Sequence, residues 1–155
     1  MNQTINIVKL IEKDLLNFKT QVMLDLSDIG DVFVNGDQTE IEQVLLNLLI
    51  NSKHSMPQGG NINLSTRVEN KKLSIKIRDT GHGIPEAIKD RIFEPFFTTK
   101  GVVGMGKSFG SQDTEGAGLG LSVSLGIIEA HNGTIILAST SQKGTTFEIT
   151  LPLPE

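Results

Sequence analysis

Three groups of residues in this sequence are spaced so that they can handle a charged or polar ligand. The first centres on Asp79. Leu73, Ile75 and Ile77 alternate with polar residues, and continuing the two-residue period puts Asp79 on the same apolar face. A carboxylate there is costly unless it is hydrogen-bonded. The chain then runs Thr80-Gly81-His82-Gly83-Ile84-Pro85, a tight glycine turn. An inward carboxylate at the start of such a turn can accept a hydrogen bond from a ligand's amino group. An aspartate that merely starts the turn fits the pattern about as well. The second group is Gln43, Asn47 and Asn51, spaced i, i+4, i+8 and therefore on one helix face. An amide carbonyl can ligate a hard cation such as Mg2+, although a solvated helix edge is the commoner fate of such a stripe. The third is a set of glycines after Phe97: Gly101, Gly104, Gly106, Gly110, Gly116, Gly118 and Gly120. The run Gly116-Ala117-Gly118-Leu119-Gly120-Leu121 leads into a helix, where free N–H groups and the positive dipole end suit phosphate. Flexible linkers look similar, and the Lys-Ser/Thr that closes a P-loop does not follow this run.

The elements that must position these groups are legible from periodicity. Leu10, Ile11, Leu15, Leu16 and Phe18 predict a helix over about residues 6–19. Val22–Leu26 and Val32–Val34 read as short strands flanking a turn at Asp28-Ile29-Gly30-Asp31. The strongest helix follows, capped by Asp37 with Glu40 three residues on, as in a capping box. Ile41, Val44, Leu45, Leu48 and Leu49 form its apolar face, and Pro57-Gln58-Gly59-Gly60 ends it. Ile62 to Val68 and Leu73 to Ile77 alternate as a hairpin around Glu69-Asn70-Lys71. Residues 86–93 suit a short helix, and residues 100–118 a mobile glycine-rich loop. Leu119 to Ala130 reads as a helix stopped by His131-Asn132-Gly133, and Thr134–Thr140 pairs with Thr145–Leu151. Helices on one face of a mixed, mostly antiparallel sheet make an α+β two-layer sandwich.

Bulk properties set limits. A chain of 155 residues suggests one domain with one core, and 37% hydrophobic with 21% charged residues is ordinary for a soluble protein. Without cysteine there are no disulfides or thiolate metal sites. Apolar runs fall far short of the roughly 20 residues that span a bilayer, and no signal peptide opens the chain. The expected setting is cytoplasmic, without membrane contact by this domain. A net charge of −4 argues against nucleic-acid binding, and with neither Trp nor Tyr a base-stacking platform is not expected. A single triphosphate is different: backbone N–H groups and a metal ion can hold it.

The order of the motifs is more telling than any one of them. Together they resemble the histidine-kinase branch of the Bergerat-fold ATP-binding proteins over about residues 5–153. Gln43 to Ser52 looks like that family's asparagine box, and Asp79 to Pro85 like its first glycine box. Phe93-Glu94-Pro95-Phe96-Phe97-Thr98-Thr99-Lys100 looks like its phenylalanine box, Gly116 to Leu121 like its second glycine box, and Gly144-Thr145-Thr146-Phe147 like its closing strand. The resemblance implies a single ATP-binding catalytic domain over 1–155 with a lid loop at about 98–118. Asp79 would accept from the adenine amino group, supported by Thr145. Asn51 would ligate Mg2+, Asn47 would line the phosphate site, and these two are the implied catalytic pair. Ile84 would sandwich the adenine beside Gly81 and Gly83. Gly116, Gly118, Leu119, Gly120 and Leu121 would approach the phosphates. Phe96 or Phe97 would pack beneath the lid.

Two departures stand out. Many members carry a basic residue three positions after the second asparagine; here it is His54, so Mg2+ or Lys100 or Lys107 would carry more of the phosphate charge. The loop between the phenylalanine box and the second glycine box is also longer than in compact members. Relatives that hydrolyse ATP place a glutamate base one turn before the metal-binding asparagine; the residue here is Asn47, which cannot act as one. The resemblance therefore favours transfer of the γ-phosphoryl group to a histidine on a separate dimerisation and phosphoacceptor domain, with a response regulator as the indirect partner. A Bergerat-fold ATPase or a non-catalytic nucleotide-binding module is the alternative. About 36 residues precede the asparagine-box helix, too few for that helical hairpin as well as the predicted elements, so the acceptor is expected upstream in a longer protein.

Overall fold

Asp37 does start the strongest helix, but with an unexpected partner. In the computed structural model, which describes residues 3–16, 21–26, 30–97 and 120–155, helix α2 spans Gln38–His54. The Asp37 side chain accepts from the Glu40 N–H at 3.1 Å. A capping box would return the favour through the Glu40 carboxylate. Instead the Asp37 N–H donates to His131 Nε2 at 3.0 Å, and His131 Nδ1 lies 2.7 Å from the Ile127 carbonyl. That histidine follows helix α3 (Gly120–Ala130), so it ties the end of one helix to the start of another. A Cβ at Gly36 would collide with its ring.

The sheet has five strands in the order β2-β4-β5-β7-β6. These are β2 (Gln21–Asp25), β4 (Asn61–Glu69), β5 (Lys72–Asp79), β6 (Thr134–Ser141) and β7 (Gly144–Pro152). The β2–β4 pair is parallel and the other three pairs are antiparallel. One face carries Ile62, Leu64, Leu73, Ile75, Ile77, Phe147, Ile149 and Leu151, all buried. They pack with Ile41, Val44, Leu45, Leu48 and Leu49 of α2, and with Ile7, Leu10 and Ile11 of α1 (Ile7–Leu16), in one core. Each such aliphatic side chain contributes roughly 1.5–3 kcal/mol by leaving water.

Other expectations need adjusting. The strands on either side of the predicted turn are not paired with each other. β2 joins the main sheet, whereas β3 (Phe33–Gly36) pairs antiparallel with β1 (Gln3–Asn6), which periodicity did not find. Four residues carry too few alternations to register as a strand. Residues 86–93 form only a 3-10 turn at Lys89–Arg91. The hairpin turn is the residue pair Asn70-Lys71, with φ of 53° and 60°, the left-handed geometry of a type I′ turn. Helix α3 ends as expected: Asn132 takes φ 61°, and the Gly133 N–H donates to the Ile128 carbonyl at 2.9 Å, a Schellman closure. No helix among the described residues is long and apolar enough to cross a membrane.

Thr66 points its hydroxyl into the core without a hydrogen-bond partner. Thr66→Val, nearly isosteric, should therefore raise stability by about 1 kcal/mol. A urea midpoint at or below that of the unaltered chain would contradict this.

Candidate functional site

Strand β5 delivers Asp79 inward, as its two-residue period requires, and the residue is only 3% exposed. Its Oδ1 accepts from the Gly81 N–H at 2.9 Å and the Thr145 N–H at 3.2 Å. Two backbone donors thus meet the cost of burying a carboxylate. Both bonds use Oδ1, so Oδ2 is free of them, and Asp79 borders a cavity of about 840 Å3. That volume falls within the range of small-molecule sites.

The glycine turn is locked in from two sides. The His82 N–H donates to the Ser55 carbonyl at 3.2 Å, and a Cβ on Gly81 would collide with Ser55. Gly83 adopts φ 80°, where a Cβ would collide with the Ser141 carbonyl; Gly144, at φ 142°, lies as closely against the Asp79 carbonyl. Beyond the turn, the Ile84 N–H donates to Thr140 Oγ1 at 2.8 Å, and Thr140 Oγ1 lies 3.1 Å from Thr145 Oγ1. The turn between Asp79 and Ile84 is thereby pinned to the β6–β7 hairpin, and Ile84, Thr140 and Thr145 all line the cavity.

The polar stripe of α2 splits into three roles. Gln43 is exposed. Asn51 and His54, in the last turns of the helix, line the cavity. Asn47 is absent from the lining: its Nδ2 donates to the Gly120 carbonyl at 3.3 Å and to Ser124 Oγ at 3.2 Å. Asn47 thus fastens the first turn of α3 to α2, and Gly120 and Leu121 face the cavity from that turn. Helix α3 is thus joined to α2 at both of its own ends, here through Asn47 and at His131 through Asp37.

In the phenylalanine box, Phe93 meets Phe147 edge to face, with ring centres 6.2 Å apart. Phe97 lines the cavity under the Arg91 guanidinium, 4.7 Å from its ring centre. Phe96 points away, 71% exposed, with φ 63°. Lys100, Gly116, Gly118 and Leu119, with the lid at about 98–118, lie outside the described residues, so the structure does not place them. Residues 101–108, ending in Gly106-Lys107-Ser108, do spell the P-loop pattern, which the reading of the later glycine run passes over. A P-loop follows a strand, whereas the described chain up to Phe97 runs through turns. Thr140, Gln142 and Glu86 also border the cavity and were not among the predicted site residues.

Among the described residues, no three His, Asp or Glu side chains cluster as a metal cage. Besides Asp79, the cavity lining offers side-chain oxygens at Asn51, Glu86 and Gln142. That suits an ion such as Mg2+, which keeps its waters and binds through one or two protein oxygens plus phosphates. The donor set fits a nucleotide–metal pair.

The comparisons with known proteins point the same way. Residues 36–155 match the family described as histidine kinase-, DNA gyrase B- and HSP90-like ATPase. Sporulation kinase A of Bacillus subtilis (strain 168) is 35% identical over 98% of this chain and 24% of its own length. The chain thus spans about a quarter of that relative. The catalytic domain of histidine kinase ThkA superposes with a TM-score of 0.81 at 28% identity, over 99% of this chain and 98% of that one. A structure of ThkA in complex with the response regulator protein TrrA matches at TM-score 0.77 and 27% identity, over 99% of this chain and 42% of that one. The chain belongs to the histidine kinase-, DNA gyrase B- and HSP90-like ATPase family, with the sensor histidine kinase catalytic domains as its kin.

Proposed function

We propose that residues 1–155 are one catalytic domain that binds ATP with Mg2+ and positions the γ-phosphoryl group for transfer to a histidine on a separate dimerisation and phosphoacceptor domain, from which a response regulator is served. The observation that carries this reading is Asp79, buried on the cavity floor with Oδ1 saturated by backbone donors and Oδ2 free of them. A carboxylate accepts but cannot donate, so it selects a base edge with an amino group. Ile84 and Phe97 supply apolar surface for the ring, and the first turn of α3, which begins at Gly120 beside the cavity, would present backbone N–H groups to phosphate. Bound Mg2+ would neutralise triphosphate charge, with Asn51 as its protein ligand. ATP use places the domain on the cytoplasmic side.

Hydrolysis is the second reading. Asn47, which occupies the position of the glutamate base, has its amide engaged by Gly120 and Ser124 and lies outside the cavity lining, which favours transfer over water activation.

The direct test is calorimetric titration of ATP and ADP with and without Mg2+. Asn51→Ala should abolish the gain in ATP affinity that Mg2+ provides, while metal-free ADP binds within about twofold of the unaltered chain, since losing one neutral ligand affects the metal alone. A variant whose Mg2+ dependence matches the original would remove Asn51 from that role.

A further inference from the structure

Thr140 does more than tie down the glycine turn: β6, β7 and the turn at Ile84 meet at its hydroxyl. It sits in register with Thr145 only because β6 slips between Leu137 and Ser139. Before the slip Leu137 faces Phe147; an unbroken period would turn Ser139 inward and leave Thr140 on the outer face. The bulge re-aims the strand so that Thr140 Oγ1 accepts from the Ile84 N–H at 2.8 Å and lies 3.1 Å from Thr145 Oγ1. A hydroxyl has one proton and two lone pairs. The Ile84 donor is backbone and cannot reverse, so one lone pair of Thr140 is committed and its proton remains to be placed.

We infer that Thr140 is a positioning residue for base selection: it donates its proton to Thr145 Oγ1, leaving the Thr145 O–H to point at the ring nitrogen beside the amino group that Asp79 accepts. This inference rests on the adenine-site reading above. Either hydroxyl can donate across this pair, and the direction inferred here is the one that leaves a donor facing the cavity. The Thr145 N–H is spent on Asp79 Oδ1 at 3.2 Å, so only the hydroxyl of Thr145 is left to address the cavity. A donor there completes the pattern of an adenine edge, which presents an amino donor next to a ring acceptor. Guanine presents the opposite pair, an oxygen acceptor next to an N–H donor. Asp79 and Thr145, ordered by Thr140, would together reject guanine at both positions, where Asp79 alone would reject it at one.

The test is a cycle between protein and ligand. ATP and 1-deaza-ATP, which replaces the ring acceptor with C–H, are titrated into the unaltered chain and into Thr140→Val, Thr140→Ala and Thr140→Ser. In the unaltered chain the deaza analogue should bind about tenfold more weakly, the scale of one hydrogen bond. In Thr140→Val and Thr140→Ala that ratio should shrink to about twofold, and Thr140→Ser, which keeps the hydroxyl, should restore it. A purely structural Thr140 would weaken both ligands equally and leave the ratio at tenfold in every folded variant, which overturns the inference. So does an unaltered chain that binds the two ligands alike, with adenine binding itself left standing. An unaltered chain that fails to bind ATP overturns the adenine-site reading and this inference with it.

Discussion

Asp79→Asn should weaken ATP binding about 10- to 100-fold, or about 1.5–3 kcal/mol, while the domain melts within a few degrees of the original. The separation follows from how the two carboxylate oxygens divide their work. Oδ1 accepts from the Gly81 and Thr145 N–H groups, and the carbonyl oxygen of asparagine can take over both bonds. The other position then becomes an NH2 group, so a donor faces the amino donor of adenine. GTP, with an acceptor at that position, should lose much less, and the preference for ATP should narrow. Asp79→Ala behaves differently. It strands two buried backbone donors, each costing about 1–3 kcal/mol, and should lower the melting temperature as well as abolish binding. Calorimetry with both nucleotides, combined with thermal melts, reads all of these. Undiminished ATP affinity in a folded Asp79→Asn variant would refute the assignment of Asp79 to the base.

The reach of sequence reading here follows the length of each pattern. The period of β5 carried Asp79 to the cavity floor because five positions, Leu73 to Ile77, had already declared which face is inward. Helix α2 was equally plain, since its apolar face recurs from Ile41 to Leu49, over about two and a half turns. The residues that escaped are those whose place depends on something non-local. Thr140 faces the site only through a bulge in β6, which no alternation rule signals, and its partners are Ile84 and Thr145. The histidine that completes the cap of α2 is His131, far along the chain. Capping-box logic looks three residues ahead and nominates Glu40, yet Glu40 Oε2 stands 3.9 Å from that histidine instead of closing on Asp37. Asn47 shows the reverse limit. Helical spacing put it on a face with Asn51, which is right, but one turn of rise separates an amide facing the cavity from one facing α3.

The isolated chain should bind ATP yet turn it over at least ~10³-fold more slowly than the roughly 10 s⁻¹ typical of enzymes, and none of its own histidines should become phosphorylated. Phosphoryl transfer is mostly positioning and charge stabilisation, and it needs an aligned acceptor. The three histidines are poor candidates. Both ring nitrogens of His131 are engaged, by the Asp37 N–H and the Ile127 carbonyl, and its side chain is 7% exposed. His82 commits Nδ1 to the Gly83 carbonyl, and His54 is half-buried in the last turn of α2. Water fares no better. The position where hydrolysing relatives would carry a base is Asn47, whose Nδ2 holds the start of α3. Asn47→Glu would set a carboxylate against the Gly120 carbonyl and forfeit both of those bonds, so any gain in hydrolysis should be small and accompanied by a loss of stability. Adding the helical hairpin that carries the acceptor histidine of the same kinase should change the outcome: labelled phosphate should appear on that hairpin in an acid-labile, base-stable linkage, and Asn51→Ala should suppress it. Brisk release of inorganic phosphate by the purified domain alone, with no label reaching the hairpin, would instead establish an ATPase.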